Sequence, residues 1–173
     1  MISKSIQEKI QAGSMIRKMF EEGNRLKKEF GAENVFDFSI GNPDVAPPSE
    51  VQTALKKIAS DDRPGIHGYM SNNGYLSTRQ VVAGQLTKNS NVTVSAESIC
   101  MTVGAAGAMN AVLKAILDPG DEVILLAPFF MEYRHYVDNH GGKSVIVQTD
   151  PKTFEPHIEA IRAAISPRTK ALI

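Results

Sequence analysis

The sequence predicts a three-layer α/β fold, in which helices cover both faces of a mostly parallel β-sheet and an N-terminal helical segment comes first. Two observations support this prediction. From residue 98 onward, short apolar runs of strand length alternate with helix-like stretches, a pattern that is typical of parallel sheets. Before residue 31, apolar side chains recur at helical spacing, which indicates helices without strands.

The composition is that of a soluble globular protein, since 42% of the 173 residues are hydrophobic and 22% are charged. The 19 basic and 19 acidic side chains leave no net charge that would attract nucleic acid or an anionic membrane. Neither a signal-peptide core nor a stretch of about 20 consecutive apolar residues is present. We therefore expect a cytoplasmic protein that binds neither nucleic acid nor a membrane.

Cysteine and histidine usage predicts no metal site. Cys100 is the single cysteine, which excludes an intramolecular disulfide and a cysteine-based zinc site. The four histidines lack the spacing of metal ligands, and we assign them no chemistry. A single unpaired cysteine fits a reducing compartment.

The N-terminal third is predicted to be mainly helical. One or two helices are expected before Gly31, on the spacing of Ile6, Ile10, Met15, Ile16, Met19 and Phe20. Residues 35–40 (VFDFSI) alternate like a short strand, and a loop rich in Gly and Pro follows them. Ser49 and Gln52 resemble a capping box that starts a helix ending near Ser60.

The connection after this helix, residues 61–74 (DDRPGIHGYMSNNG), is too rich in Gly, Asn and Pro for regular structure. Long irregular connections in compact domains are often functional. We therefore expect functional residues in this segment.

The remaining chain predicts alternating strands and helices. Residues 99–103 (ICMTV) and 123–127 (VILLA) predict strands on either side of a helix that begins after Gly104 and is apolar on most of its surface, so we expect it to be buried. The later elements are a helix over 130–139, a strand over 144–147, a helix over 156–165 and the beginning of a strand over 171–173. The last apolar run reaches the chain end without a turn, which we interpret as truncation.

The turn into the first of these helices is a candidate anion site. Backbone N–H groups at a helix start have no partner within the helix, and together with the helix dipole they attract an anion without any basic side chain. The small residues Ala105, Ala106 and Gly107 would let a phosphate approach the backbone. Taken alone, the same residues predict ordinary tight packing of helix on sheet equally well.

Four motifs appear in the order found in the class I and II aminotransferases, the aspartate aminotransferase family. Residues 102–124 resemble the family's Gly-rich turn and helix ending in DPGDEV, and residues 127–137 (APFFMEYRHYV) resemble its Pro-aromatic-aromatic-x-x-Tyr element. Residues 40–44 (IGNPD) and 68–79 (GYMSNNGYLSTR) resemble its substrate loop and its Tyr-x-x-x-x-Gly-x-x-x-x-Arg stretch. The resemblance runs from about Phe36 to Ile173.

The resemblance implies the N-terminal part of an enzyme with the transferase fold of type I, dependent on pyridoxal 5′-phosphate, which transfers an amino group between an amino acid and a 2-oxo acid. It implies that Gly104, Ala105 and Ala106 hold the cofactor phosphate through the backbone. Phe130 would lie against the pyridine ring, because aromatic side chains stack with large apolar burial. A plain core position is the alternative for Phe130.

The resemblance also implies roles for two loop residues. Tyr69 matches the tyrosine that reaches the cofactor phosphate of the neighbouring subunit, which implies a homodimer with shared active sites. Gly41 matches the glycine that closes near the substrate carboxylate, and a turn glycine is its alternative role. Arg79 is expected to support the fold, and Thr78 departs from the leucine that is usual in the family.

No catalytic residue is predicted in this chain. Amino-group transfer requires a lysine that holds the cofactor as a Schiff base, a carboxylate beside the pyridine nitrogen and a cation for the substrate carboxylate. In the family these lie beyond the matched stretch. None of the lysines present lies in a segment that resembles the family's lysine motif, and examples are Lys88, Lys114, Lys143, Lys152 and Lys170. We therefore expect the chain alone to be inactive.

The resemblance divides the chain at residue 45. Residues 1–45 would form a helical arm and a substrate-side loop of the small domain, and residues 46–173 the first part of the large cofactor-binding domain. Two alternatives stay open: a non-catalytic remnant that packs or dimerises, and another enzyme of the same fold, such as a lyase or a synthase.

Overall fold

The computed structural model describes residues 2–4, 6–7, 15–38, 41 and 43–173. Contacts divide the chain into two units, Met1–Ile66 and His67–Ile173. The domain boundary expected from the resemblance, at residue 45, lies within the first unit.

The first unit contains two α-helices whose bounds are described, and Lys4, Ile6 and Gln7 are also helical. Helix α1 spans Met15–Phe30 and helix α2 spans Ser49–Ala59, and a single 3-10 turn, Ala32–Asn34, follows α1. Gly31 ends α1 with a φ of 86°, a left-handed conformation that favours glycine, and its N–H donates to the Lys27 carbonyl at 3.1 Å. The helix predicted before Gly31 is confirmed over these residues, while Ile10 lies outside the described residues.

The strand predicted over residues 35–40 is not found over residues 35–38. The alternation is present, since Val35 and Asp37 are half-buried, while Phe36 and Phe38 are 84% and 90% exposed. A strand also requires a neighbour that satisfies its backbone hydrogen bonds, and the described residues of this unit contain none. An ion pair of 2.7 Å between Lys27 Nζ and Asp37 Oδ2 joins the segment to α1.

Helix α2 ends where the sequence predicts but lacks the predicted capping box. The residue before its first turn is Pro48, and Ser49 is already helical, with its Oγ donating to Glu50 Oε2 at 3.2 Å. At the other end Ser60 Oγ donates to the Lys56 carbonyl at 2.8 Å. No residue of α2 is buried.

Three parallel strands form the sheet of the second unit, as predicted. Strand β1 (Glu122–Ala127) lies between β2 (Lys143–Gln148) and β3 (Thr169–Leu172). Val123 of β1 is aligned with a residue on each side, Ser144 and Ala171. The order β2-β1-β3 makes β1 the central strand.

Helices connect and flank these strands. They are α3 (Leu76–Asn89), α4 (Gly104–Ile116), α5 (Glu132–Asn139) and α6 (Ile158–Ala164), with a 3-10 turn at Ala96–Ser98. The helices predicted after residues 104, 130 and 156 are confirmed, although α5 and α6 each begin two residues later than predicted. The core between α4, α5 and the sheet consists of Leu113, Val123, Leu125 and Val137.

The strand predicted over residues 99–103 is absent. Ile99 has extended backbone angles, with φ −103° and ψ 128°, and the Met101 N–H donates to the Asn73 carbonyl at 3.1 Å. Extended backbone becomes a strand only beside another strand. The three described strands pair with one another and none pairs with this segment.

The expectation that α4 is buried is also wrong, because Leu113 is its only buried residue. Leu113 is 2% exposed, but Val112 is 55% and Ile116 is 39% exposed. A helix that packs on one side of a sheet buries a single stripe, whatever the character of its other side chains. The apolar sequence of α4 therefore does not predict which of its faces is covered.

An ion pair between a buried carboxylate and an exposed guanidinium joins the start of β1 to the turn before β3. Glu122 is 9% exposed, and its carboxylate accepts hydrogen bonds from Ser166 Oγ at 2.6 Å and Arg168 Nη2 at 2.7 Å. The hydrogen bond from Ser166, and to a smaller extent the one from Arg168, holds the pKa of the Glu122 carboxyl below its ordinary value. Burial opposes this effect.

We expect Glu122→Gln to lower the free energy of unfolding at about pH 7 and to lose this effect in acid. Because the carboxyl has a lower pKa in the folded chain, its contribution is complete above the unfolded-state pKa and disappears as the pH falls through the folded-state value. Urea unfolding of both chains between about pH 7 and about pH 3 measures the difference.

Glu159→Gln is the control, because Glu159 has an 85% exposed side chain and lies 3.6 Å from Arg162 Nε. A stability difference for Glu122→Gln that is constant over this pH range would contradict the prediction.

Candidate functional site

The start of α4 and the segment after β1 lie at the same edge of the sheet. Helix α4 joins β1 through the short turn 117–121, and Leu113 and Val123 share one core, so the helix runs antiparallel to the strand. Its first residue therefore lies toward the carboxyl end of β1, where Phe129 and Phe130 follow. Ligands of open α/β sheets bind at this edge.

The first turn of α4 is shaped to receive an anion. Gly104 has a φ of 66°, in the left-handed region that favours glycine, and its N–H donates to the Thr102 carbonyl at 3.0 Å. The residue before it, Val103, provides no side-chain cap, and Ala105 and Ala106 are exposed. The backbone N–H groups of this turn thus face no capping side chain and no bulky neighbour.

Tight packing does not explain the glycine at this position. A Cβ added to Gly104 would meet no atom within 4 Å. The requirement for glycine therefore comes from the backbone conformation of the turn, and the space around it is open. This observation excludes close packing as the reason for glycine at position 104.

The two phenylalanines after β1 differ in environment. Phe129 packs against the core, whereas Phe130 is 55% exposed. The ring of Phe130 meets that of Tyr133 edge to face, with centroids 5.8 Å apart and planes at 86°. An exposed aromatic ring at the ligand edge of the sheet is able to stack on a flat ligand.

Thr149, which the sequence did not single out, anchors this aromatic segment. Its N–H and its Oγ1 both donate to the Ala127 carbonyl, at 3.1 Å and 2.7 Å. The two residues lie 22 positions apart, so no local pattern connects them. These two bonds fix the Ala127 carbonyl at the point from which the aromatic segment, residues 128–130, leaves the sheet.

A second contact absent from the sequence prediction reaches the start of α4. Asn110 Nδ2 donates to the Ala106 carbonyl at 2.9 Å, and His140 Nε2 lies 3.2 Å from Asn110 Oδ1. His140, to which no chemistry was assigned, therefore links the end of α5 to the first turns of α4. Neither residue carries a sequence signal, because they are 30 positions apart.

Tyr69 extends from an anchored loop and is fully exposed, at 109% of its reference surface. Ser71 Oγ donates to the Gly74 carbonyl at 2.7 Å within this loop. Arg79, which is 8% exposed, donates to the same carbonyl at 3.2 Å and to the Ala96 carbonyl at 2.8 Å. Arg79 thus holds backbone in place, as its expected role in supporting the fold requires.

Gly41 lies in the first unit and is exposed, and a Cβ added to it would meet no atom within 4 Å.

Among the described residues no group of three or more His, Cys, Asp or Glu side chains could hold a metal ion. The five lysines named above are all exposed. None of the helices in the described part of the chain combines the length and apolar character needed to span a membrane.

Comparison with known proteins identifies the class. Residues 33–173 match the family described as aminotransferase class I and II, and the chain belongs to this family. It is 36% identical over 142 residues to a probable N-acetyl-LL-diaminopimelate aminotransferase of Bacillus subtilis, and this alignment covers 82% of this chain and 35% of the relative. It is 37% identical over 136 residues to an aspartate/prephenate aminotransferase of Thermus thermophilus, with 78% and 34% covered.

Solved structures of aminotransferases share the fold. An aminotransferase of Eubacterium rectale matches 99% of this chain with a TM-score of 0.90 and 32% identity. A single mutant of the Thermus thermophilus aspartate aminotransferase matches 99% with a TM-score of 0.81 and 30% identity. The chain spans 44% of each of these structures and about a third of the length of the two relatives. The fold is thus that of the type I pyridoxal-phosphate transferases, of which the chain contains a part.

We expect Gly104→Ala and Gly84→Ala to change stability in opposite directions. Neither new Cβ meets an atom within 4 Å, but only Gly104 has a positive φ. Gly104→Ala should lower the free energy of unfolding by about 1 kcal/mol through backbone strain. Gly84→Ala, inside α3, should raise it by about 0.5–1 kcal/mol through helix propensity.

Urea unfolding of the two variants and the unchanged chain measures both effects. Gly84 serves as the matched control, because the substitution is the same and the space around it is equally open. A stabilising Gly104→Ala would show that this turn does not require a left-handed residue.

Proposed function

We propose that this chain forms the cofactor-binding part of an aminotransferase that uses pyridoxal 5′-phosphate to transfer an amino group between an amino acid and a 2-oxo acid. The observation that carries the proposal is the pairing of an uncapped helix start at Gly104 with an exposed ring, Phe130, at one edge of the sheet. Membership of the aminotransferase family supports it.

The residues present fit this cofactor. Backbone N–H groups at Ala105 and Ala106 would bind the phosphate, and the helix dipole would favour its negative charge. Gly104, whose own N–H donates to the Thr102 carbonyl, would supply the left-handed turn that precedes them. Phe130 would stack on the pyridine ring and exclude water from one of its faces. When bound, the cofactor supplies the electron-withdrawing ring on which amino-group transfer depends.

Gly41 is proposed to lie near the substrate carboxylate, where a residue without a side chain lets the ligand approach the backbone. Its exposure and the open space around it support this role. The substrate class stays at amino acids and 2-oxo acids, because the relatives are named for different substrates. The exposed free thiol of Cys100 supports a cytoplasmic location, which cell fractionation would test.

The 173-residue chain by itself should not transfer amino groups faster than free pyridoxal phosphate does. A full-length aminotransferase that contains this chain should exceed that rate. Transfer requires a positioned amine, and the five lysines named above are exposed. The test assays both proteins against a panel of amino acids and 2-oxo acids, and maps modified lysines after borohydride reduction.

Turnover by the chain alone with one lysine labelled stoichiometrically would show that a catalytic lysine lies in this chain. A full-length protein that binds the cofactor but transfers no amino group would refute aminotransferase activity. Elimination or condensation by that protein would favour the lyase or synthase alternative, and no cofactor binding would favour the non-catalytic remnant.

We propose further that the protein is a homodimer in which Tyr69 completes the phosphate site of the neighbouring subunit. The full exposure of this aromatic side chain on an anchored loop supports the proposal. In the full-length protein, mixing Tyr69→Phe subunits with subunits inactivated at their catalytic lysine should restore activity, because some heterodimers contain one unaltered site.

One control accompanies this mixing experiment. Unaltered subunits labelled differently must exchange under the same conditions, which serves as the control. If exchange occurs and activity does not reappear, Tyr69 acts within its own subunit.

A further inference from the structure

The aromatic segment after β1, residues 128–130, is held by backbone hydrogen bonds at both ends, but the ring of Phe130 is exposed. Thr149 holds the Ala127 carbonyl on one side of Phe130, at 2.7 Å from its Oγ1. On the other side, the Tyr133 N–H donates to the Phe130 carbonyl at 3.0 Å. The ring of Phe130 is 55% exposed, so burial alone does not fix its orientation.

Tyr133 is the residue that restrains this ring. The two rings meet edge to face, with centroids 5.8 Å apart and planes at 86°, which is an arrangement that aromatic quadrupoles favour. Tyr133 itself is half-buried and packs against the core, and its ring also meets that of Tyr136 at 6.3 Å. A ring that packs on the core therefore lies against a partly exposed one.

We propose that Tyr133 is a positioning residue, whose ring holds Phe130 in the orientation that receives a flat aromatic ligand, the pyridine ring of the cofactor. The inference rests on the proposed function, in which Phe130 stacks on that ring. A side chain ordered before binding loses less freedom on binding, so the free protein binds the ligand more tightly. The contact involves the two rings, so the Tyr133 hydroxyl is not required.

The test uses the complete 173-residue chain and pyridoxamine 5′-phosphate. This probe has no aldehyde and therefore cannot form a Schiff base with surface lysines. Dissociation constants are measured for this probe and for inorganic phosphate. We expect Tyr133→Phe to bind the probe within about twofold of the unchanged chain, and Tyr133→Leu to bind it about two- to tenfold more weakly. Binding of inorganic phosphate should be unchanged in both variants.

Three comparisons separate positioning from general packing. Leu117→Ala removes an apolar side chain that packs on the same core, and it should leave probe binding unchanged. Phe130→Ala should weaken probe binding more than Phe129→Ala does, and adding Tyr133→Leu to Phe130→Ala should cause no further loss. Additive losses, or an equal loss in Leu117→Ala, would overturn the positioning role.

The orientation of the Phe130 ring is measured separately by NMR on chains with labelled phenylalanine. A single ring orientation in the unchanged chain and in Tyr133→Phe, lost in Tyr133→Leu, is the expected result. If Phe130→Ala binds the probe normally, or if no chain binds it, stacking in the proposed function fails, and the NMR result still decides the positioning role. An unchanged ring orientation in Tyr133→Leu would overturn it. Should Tyr133→Leu not fold, Tyr133→Met replaces it.

Discussion

The second unit depends on the parallel pairing of β1 with a strand on each side. Val123 and Leu125 are fully buried, so the backbone groups of β1 cannot bond to water and must bond to β2 and β3. Parallel strands cannot be joined by tight turns, so each connection crosses over through a helix. This constraint places the starts of helices and the loops after strands at one edge, where the candidate site lies.

The sequence predicted the elements whose stability is local. Helices α1, α2, α4, α5 and α6 carry their own apolar spacing, and β1 carries a buried apolar run between turns. The segments 35–38 and 99–103 show the same strand-like composition yet form no strand, because a strand exists only beside a partner and the partner is not encoded nearby.

The candidate site was likewise predictable from the sequence only in part. The motifs identified Gly104 and Phe130, because small residues after a strand and an aromatic pair after Pro128 are visible in the sequence. The exposure of one ring and the anchoring of the segment by Thr149 depend on residues that are distant in sequence. Spacing alone contains no information about such contacts, and a resemblance carries over only the roles of motif residues.

The groups that would hold the cofactor are almost all uncharged, and this has a mechanistic consequence. Backbone N–H groups at a helix start and an aromatic ring bind a phosphate and a pyridine by position, without deciding which bond of the substrate breaks. The reaction depends instead on an amine, a carboxylate and a cation placed around the ring. In the proposed site, binding and choice of reaction would thus be carried by different residues, so a change at Phe130 or Tyr133 would alter cofactor affinity without altering reaction type.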